Sequence, residues 1–228
     1  MPPLRDHEIR TAAHATLFAA AHAAEDTAVH DALPVRNARI DIAIVGPNDI
    51  HGYEIKSDRD VLDRLLSDRW GGGQIANFGT AFDRLTIITT PRHLTAIEQL
   101  VPSWWGIIVA TASPPPTDTN TATPTPVPVT FTHHRAAQPN PALDPSEVAG
   151  LLQRDELESL FWRHKLRGYS KLSWCDLRDT LAARLTLDDL RADVRRMLRH
   201  RPSSPRPLPH EQKKRHPKPW DDLEAHLP

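Results

Sequence analysis

A chain of 228 residues with a formal net charge of −1 is long enough for one sizeable domain plus an appendage, and it has no global basicity to advertise a nucleic acid. Its single cysteine, Cys175, excludes an internal disulfide and suits a reducing cytoplasm, where a small core thiol is the expected state. The opening MPPLRDHEIR carries no apolar secretion signal and no apolar run is long enough to span a bilayer, so a soluble cytoplasmic protein without a membrane partner is expected.

Leu4 to Ala23 reads as a helix, with Asp6 as its N-cap and Ile9, Ala12, Ala13, Leu17 and Ala20 as an apolar stripe. Glu8 lies in its first turn, where an acid complements the helix dipole. His7, His14, His22 and His30 lack metal-like spacing and read as surface or packing residues. Thr27 to Val35 is a first short strand or a turn, with Asp31 at an edge and Pro34 ending it.

Arg39 to Asp58 is the most strongly patterned stretch. Ile40, Ile42 and Ile44 alternate with Asp41, Ala43 and Val45, Gly46 to Asp49 are turn formers, and Tyr53 and Ile55 then alternate with Glu54 and Lys56. A hairpin centred between Pro47 and Asn48 sets Asp41 opposite Glu54, with Cβ atoms roughly 5 Å apart. Two carboxylates that close repel unless a positive group lies between them, and a divalent cation would serve. Lys56 projects from the same face about 7 Å further along. Two acids and a lysine converging on one point are the parts of a metal-dependent phosphodiesterase site; an exposed strand face with an ordinary ion pair is the plainer alternative.

Asp60 to Trp70 reads as a helix interrupted by Gly71, Gly72 and Gly73, which lack the Lys-Ser/Thr of a phosphate-binding loop. Gln74 to Phe82 resumes the helix, and Gln74 shares a face with Phe78. Leu85 to Thr90 and Gly106 to Thr111 are buried strands separated by a helix from Pro91 to Leu100, the alternation of α/β packing, with Trp104 and Trp105 wedged between sheet and helix. Val127, Val129 and Phe131 alternate as an edge strand, which makes the proline- and threonine-rich segment from Ser113 to Pro126 a long hairpin tip.

The expected division is a first domain over residues 1–137 with the hairpin insertion at 113–126, a linker over 138–145, a helical region over 146–200 and a disordered tail over 201–228. The helical region divides into helices marked by Leu151 to Phe161, by Leu177 to Leu185, and by Thr186 and Asp189 opening a third. Between the first two, Lys165, Arg167, Tyr169 and Lys171 suit either a phosphate backbone or a solvated loop. Arg195, Arg196, Arg199, Lys213, Lys214 and Arg215 would add salt-sensitive, sequence-independent DNA affinity.

The acid on one strand and E-x-K on the next resemble the PD-(D/E)xK nuclease superfamily. The fuller strings HGYEIKSDRD, FDRLTIITTPRH and VPSWWGIIVA resemble a group of bacterial and phage proteins within it that is distantly similar to MmcB-like DNA repair proteins. Over Leu4 to Arg199 the resemblance implies a restriction-endonuclease-like α/β core, a mixed sheet flanked by helices. It implies a Mg²⁺- or Mn²⁺-dependent nuclease, with Asp41, Glu54 and the Ile55 carbonyl holding the metal and Lys56 readying the water. By the same resemblance Glu8 sits near the metal, and Gln74 with Phe78 stands where the RecB-like branch has Q-x-x-x-Y. DNA is the implied substrate, with RNA left open, in repair, defence or phage biology. The rival expectations are a catalytically inactive nucleic-acid-binding or interaction module on this scaffold, and a helix-turn-helix regulator in residues 146–200.

Overall fold

The computed structural model describes residues 3–36, 38–66, 73–113 and 128–201. Its centre is a six-stranded mixed sheet in sequence order: β1 (Ala28–Val35), β2 (Ala38–Val45), β3 (Ile50–Lys56), β4 (Arg84–Thr89), β5 (Gly106–Ala112) and β6 (Val129–Arg135). β1, β2 and β3 form an antiparallel meander, β3, β4 and β5 are parallel, and β6 returns antiparallel on β5. The two parallel steps need crossovers, which helices supply. α3 (Asp63–Leu66) and α4 (Gln74–Phe78) lie between β3 and β4, and α5 (Leu94–Leu100) lies between β4 and β5.

Each face of the sheet is covered separately. Ile42, Ile55, Ile88, Ile108 and Ala110 pack with Ile9 and Ala13 of α1 (Asp6–Ala15) and with Phe18. Ala43, Val45, Leu85, Ile87 and Ile107 face a larger cluster that contains Phe78, Phe82 and Trp105. That cluster continues without a break into α6 (Pro145–Ala149), α7 (Arg154–Arg163), α8 (Trp174–Arg184) and α9 (Leu187–His200), through Val148, Leu157, Phe161, Leu177, Leu181, Leu190, Val194 and Leu198. Polar ties reinforce this join. Arg191 pairs with Asp83 at 2.6 Å, Arg36 with Glu147, and the His30 ring with the Leu198 carbonyl at 2.8 Å. Residues 138–145 are strapped to the core: Gln138 N–H donates to Trp104 O, Asn140 N–H to Asp83 O and Asp144 N–H to Thr80 O.

Several local expectations are corrected. The first helix breaks at Thr16–Phe18 and resumes as α2 (Ala19–Ala23), because Phe18 turns inward to stack edge-on against Tyr53 at 4.7 Å. Arg5, not Asp6, is the N-cap of α1. The helix expected from Asp60 is seen only as the four residues of α3, and that from Gln74 ends at Phe78. Residues 67–72, including Gly71 and Gly72, lie outside the described residues, as do the hairpin tip at 114–127 and the basic tail with Lys213, Lys214 and Arg215. Gly73 is buried, and a Cβ on it would come within 2.3 Å of the Leu65 carbonyl oxygen, so here glycine permits a close backbone approach between α3 and α4. Cys175 is exposed on α8 rather than in the core. Among the described residues no helix is long and apolar enough to cross a membrane.

Gly52 is the tightest point of the β3 layer. A Cβ there would lie 2.8 Å from Leu85 Cδ2 and 3.2 Å from Phe82 Cγ. Gly52→Ala is expected to lower the unfolding free energy by about 1–3 kcal/mol in urea denaturation, the usual cost of overpacking. An unchanged midpoint would contradict the close packing of this layer.

Candidate functional site

The turn chemistry sets the hairpin register. Ile42 pairs with Tyr53, Ala43 with Gly52 and Val45 with Ile50, so the loop is centred between Pro47 and Asn48 and Asp41 comes level with Glu54. At that level the two strands part. The Asp41 side chain enters the gap, and its Oδ2 accepts the Ile55 N–H at 2.7 Å. Its Oδ1 accepts from Arg10 Nη2 at 2.7 Å, while Arg10 Nη1 donates to the Asp41 carbonyl at 2.8 Å. Arg10 also binds Asp6 one helical turn earlier at 3.3 Å. Both Asp41 carboxylate oxygens are therefore engaged, one of them by a guanidinium.

Glu54 and Lys56 are turned toward α4. Lys56 Nζ donates to Glu54 Oε1 at 2.6 Å and to Gln74 Oε1 at 2.9 Å, and Gln74 Nε2 donates to Glu54 Oε1 at 2.7 Å. Glu54 and Lys56 are buried, and Glu54 Oε2 has no hydrogen-bond partner among the described residues. Burial, and then the charge of Asp41, push the Glu54 carboxyl up to about 8, against the lowering effect of Lys56. Asp6 is likewise pushed upward by burial, against Arg10.

Asp41, Glu54, Lys56 and Gln74 thus come together, but as two linked knots. Asp41 is held by α1, whose Ile9 and Ala13 pack on one face of the sheet. Glu54 and Lys56 are held by α4, whose Phe78 packs on the other. Arg10 answers the Asp41 carboxylate, and the Glu54 carboxyl, pushed toward its protonated form, is bonded by Lys56 and Gln74. Glu54 Oε2 is the one carboxylate oxygen of the facing pair with no partner, and among the described residues no group of three or more His, Cys, Asp or Glu could hold a metal ion. Glu8 caps its own helix, accepting the Arg5 N–H at 2.7 Å. Arg10 is the residue of α1 that hydrogen-bonds Asp41, and Asp6 braces it. Their i,i+4 spacing was visible in the sequence as an ion pair, but nothing there tied it to Asp41.

A second polar feature lies on α9. Thr186 caps this helix, its hydroxyl oxygen accepting the Asp189 N–H. Arg191, Arg195 and Arg199 follow at four-residue steps and share one side. Arg191 is paired with Asp83 and Asp188. Arg195 and Arg199 meet only the backbone carbonyls of Pro47 and Asp26, with no carboxylate partner among the described residues. Arg195 Nη1 and Arg199 Nε are buried and have no hydrogen-bond partner among the described residues, so each guanidinium meets solvent through its other nitrogens. Burial pushes the Arg195 guanidinium below its ordinary value against the raising effect of Asp83, with Arg191 and Arg199 adding to the drop and Asp49 opposing it. Arg196 faces elsewhere and pairs with Asp193 at 3.1 Å.

Comparison with known proteins gives a different kinship from the one the motif implied. The family model described as bacteriophage P4 protein cII matches residues 4–224. Among curated proteins, Protein cII of Enterobacteria phage P4 is 27% identical over 106 residues, which is 46% of this chain and 38% of that protein. The chain thus spans well under half the length of the curated relative it matches. No solved structure matches. These matches overturn the assignment to the PD-(D/E)xK superfamily and to relatives of MmcB-like repair proteins, and with it the expectation of a DNA-hydrolysing enzyme, since a P4 cII model accounts for nearly the whole chain and neither match names a nuclease. What the motif had recognised is a local hairpin geometry, which a structural ion network also satisfies.

The buried acid gives a pH dependence with a definite sign. Glu54 binds its proton up to about pH 8 in the folded chain but only to about 4.5 when unfolded. Between those values the native state holds more protons, so stability falls as pH rises. The unfolding free energy is expected to drop by about 1–3 kcal/mol from pH 5 to pH 8.5, and Glu54→Gln should flatten most of that slope. An identical slope in Glu54→Gln would place the titrating group elsewhere.

Proposed function

The chain belongs to the bacteriophage P4 protein cII family, and we propose that it works there as a non-enzymatic nucleic-acid-binding protein, with DNA the expected partner. The observation that carries this reading is the arginine row of α9. Arg195 and Arg199 are cations held side by side with no ion-pair contact among the described residues, although the Asp83 and Asp49 carboxylates act on Arg195 from further off. Concentrating like charge on one helix face costs free energy in the isolated protein. A phosphate backbone recovers that cost, because each oxygen contact satisfies a guanidinium and releases condensed counterions. The carbonyls of Pro47 and Asp26 fix where the side chains lie, so the row is preorganised rather than assembled on contact.

The net charge of −1 does not oppose this reading, because attraction to a backbone depends on the local field. The acid network of the hairpin has no direct part in it. Asp41 and Glu54 are neutralised internally and hold together the sheet on which α9 packs. The contacts made by the row go to phosphates and carry no base information, so affinity exceeds specificity at this surface.

Fluorescence anisotropy with a labelled duplex, in EDTA, tests the proposal. Binding should weaken steeply with salt, and Arg195→Ala with Arg199→Ala should reduce the slope of log K against log salt by about 2. Absence of salt-dependent binding, or a slope unchanged in the double variant, would overturn it.

A further inference from the structure

Trp162, near the end of α7, is 74% exposed, although indoles are usually well buried. A single exposed aromatic needs no explanation by itself. Here the surroundings are built. The chain leaves α7 through Lys165 in a left-handed conformation (φ 54°), and Leu166 N–H returns to the Phe161 carbonyl. Gly168 takes a second positive φ of 83°. These turns bring Tyr169, at the start of the short 3-10 helix Tyr169–Lys171, back against α7. Its ring stands 6.1 Å from that of Trp162 at 67°, and 5.5 Å from that of Phe161. Phe161 is fully buried, so the tyrosine is anchored in the core and supports the exposed indole from the side.

The charges around this pair are sorted. Arg163 and His164 are both tied to Asp193 of α9, at 3.0 and 2.5 Å. Glu158, one turn before Trp162, is paired with Arg154 at 2.8 Å. In the loop between α7 and α8, Lys165, Arg167 and Lys171 are exposed and have no ion-pair partner among the described residues; the exposed acids Asp155 of α7 and Asp176 of α8 flank them without an ion pair.

We infer that the Trp162–Tyr169 corner is a stacking platform for an unpaired base of single-stranded nucleic acid, with Lys165, Arg167 and Lys171 holding the adjoining phosphates. An indole face open to water matches the face of a base, and only an unpaired, unstacked base can present that face. The positive surround selects a polyanion over an apolar peptide. The link through Asp193 fastens the corner to α9 on a side away from the arginine row, so the two surfaces are separate. The inference rests on the proposal that nucleic acid is the partner, and it names the strand state that this second surface takes.

The test uses the full chain with a labelled 20-nucleotide oligothymidine and a duplex of equal length. Trp162→Ala should weaken oligothymidine binding about tenfold while leaving duplex binding within about twofold, and Trp162→Phe should keep most of the affinity. Removing the three cations together should lower the salt slope, whereas Trp162→Ala should not. Duplex binding that persists, with oligothymidine binding indifferent to Trp162, would overturn the platform and leave the α9 proposal standing. Oligothymidine binding that needs Trp162, with no binding of duplex, would support the platform and remove the α9 proposal. Intact oligothymidine binding in Trp162→Ala, together with loss of self-association, would reassign the corner to a protein contact and overturn the inference.

Discussion

Where β2 and β3 separate beyond the Ile42–Tyr53 pair, a carboxylate takes the place of a ladder hydrogen bond. Asp41 satisfies the Ile55 N–H that the parting strands would otherwise leave unpaired in the interior, and this substitution sets the terms for its surroundings. A half-buried carboxylate needs a cation, and Arg10 supplies it from α1. Glu54, level with Asp41 and fully buried, is pushed toward its protonated form by burial and by that negative neighbour, and its Oε1 is held by Lys56. Gln74 completes the second knot and joins α4 to the sheet. Two helices on opposite faces are thus fastened to adjacent strands by one electrostatic requirement.

The C-terminal helices extend this scaffold rather than hang from it. Their apolar side chains belong to the same cluster as Leu85 and Ile107 of the sheet, and Asp83 serves both layers, accepting the Ile50 N–H and the Arg191 guanidinium. A helix pinned in this way can carry cations at fixed positions. α9 spends Arg191 and Arg196 on carboxylates and leaves Arg195 and Arg199 with backbone carbonyls alone. Arginines that form ion pairs and arginines that meet only backbone carbonyls therefore stand on a single element, distinguished by their neighbours.

Much of the sheet was legible in the sequence. The alternation from Arg39 to Asp58, with a turn whose centre could be placed between two residues, carried the register of β2 on β3 without any tertiary information. The apolar runs gave β4 and β5, and the alternation of Val129 and Phe131 gave the β6 return. The break at Thr16–Phe18 was not legible, because its cause is a ring contact with Tyr53 across the sheet. Nor was the exposure of Cys175, since a small apolar residue beside a helix stripe reads as core. The site was half legible. Spacing brought Asp41, Glu54 and Lys56 together but could not say which cation would answer the acids. Arg10 is 31 residues from Asp41, and only the packing of α1 on the sheet joins them. The missing charge was therefore assigned to a metal, and a kinship was drawn from a motif that an internal ion network fulfils equally well. The exposure of Trp162 had no sign in the sequence, because an aromatic next to an apolar stripe gives no indication of which way it faces.

In this fold the protein's own guanidinium, Arg10, answers the hairpin acid Asp41. A double-mutant cycle on Arg10→Met and Asp41→Asn, read by urea unfolding at neutral pH, measures that pairing directly. The account predicts a coupling free energy of about 1–3 kcal/mol, the range for a partly buried, charge-assisted pair. Additive effects, with coupling near zero, would contradict it.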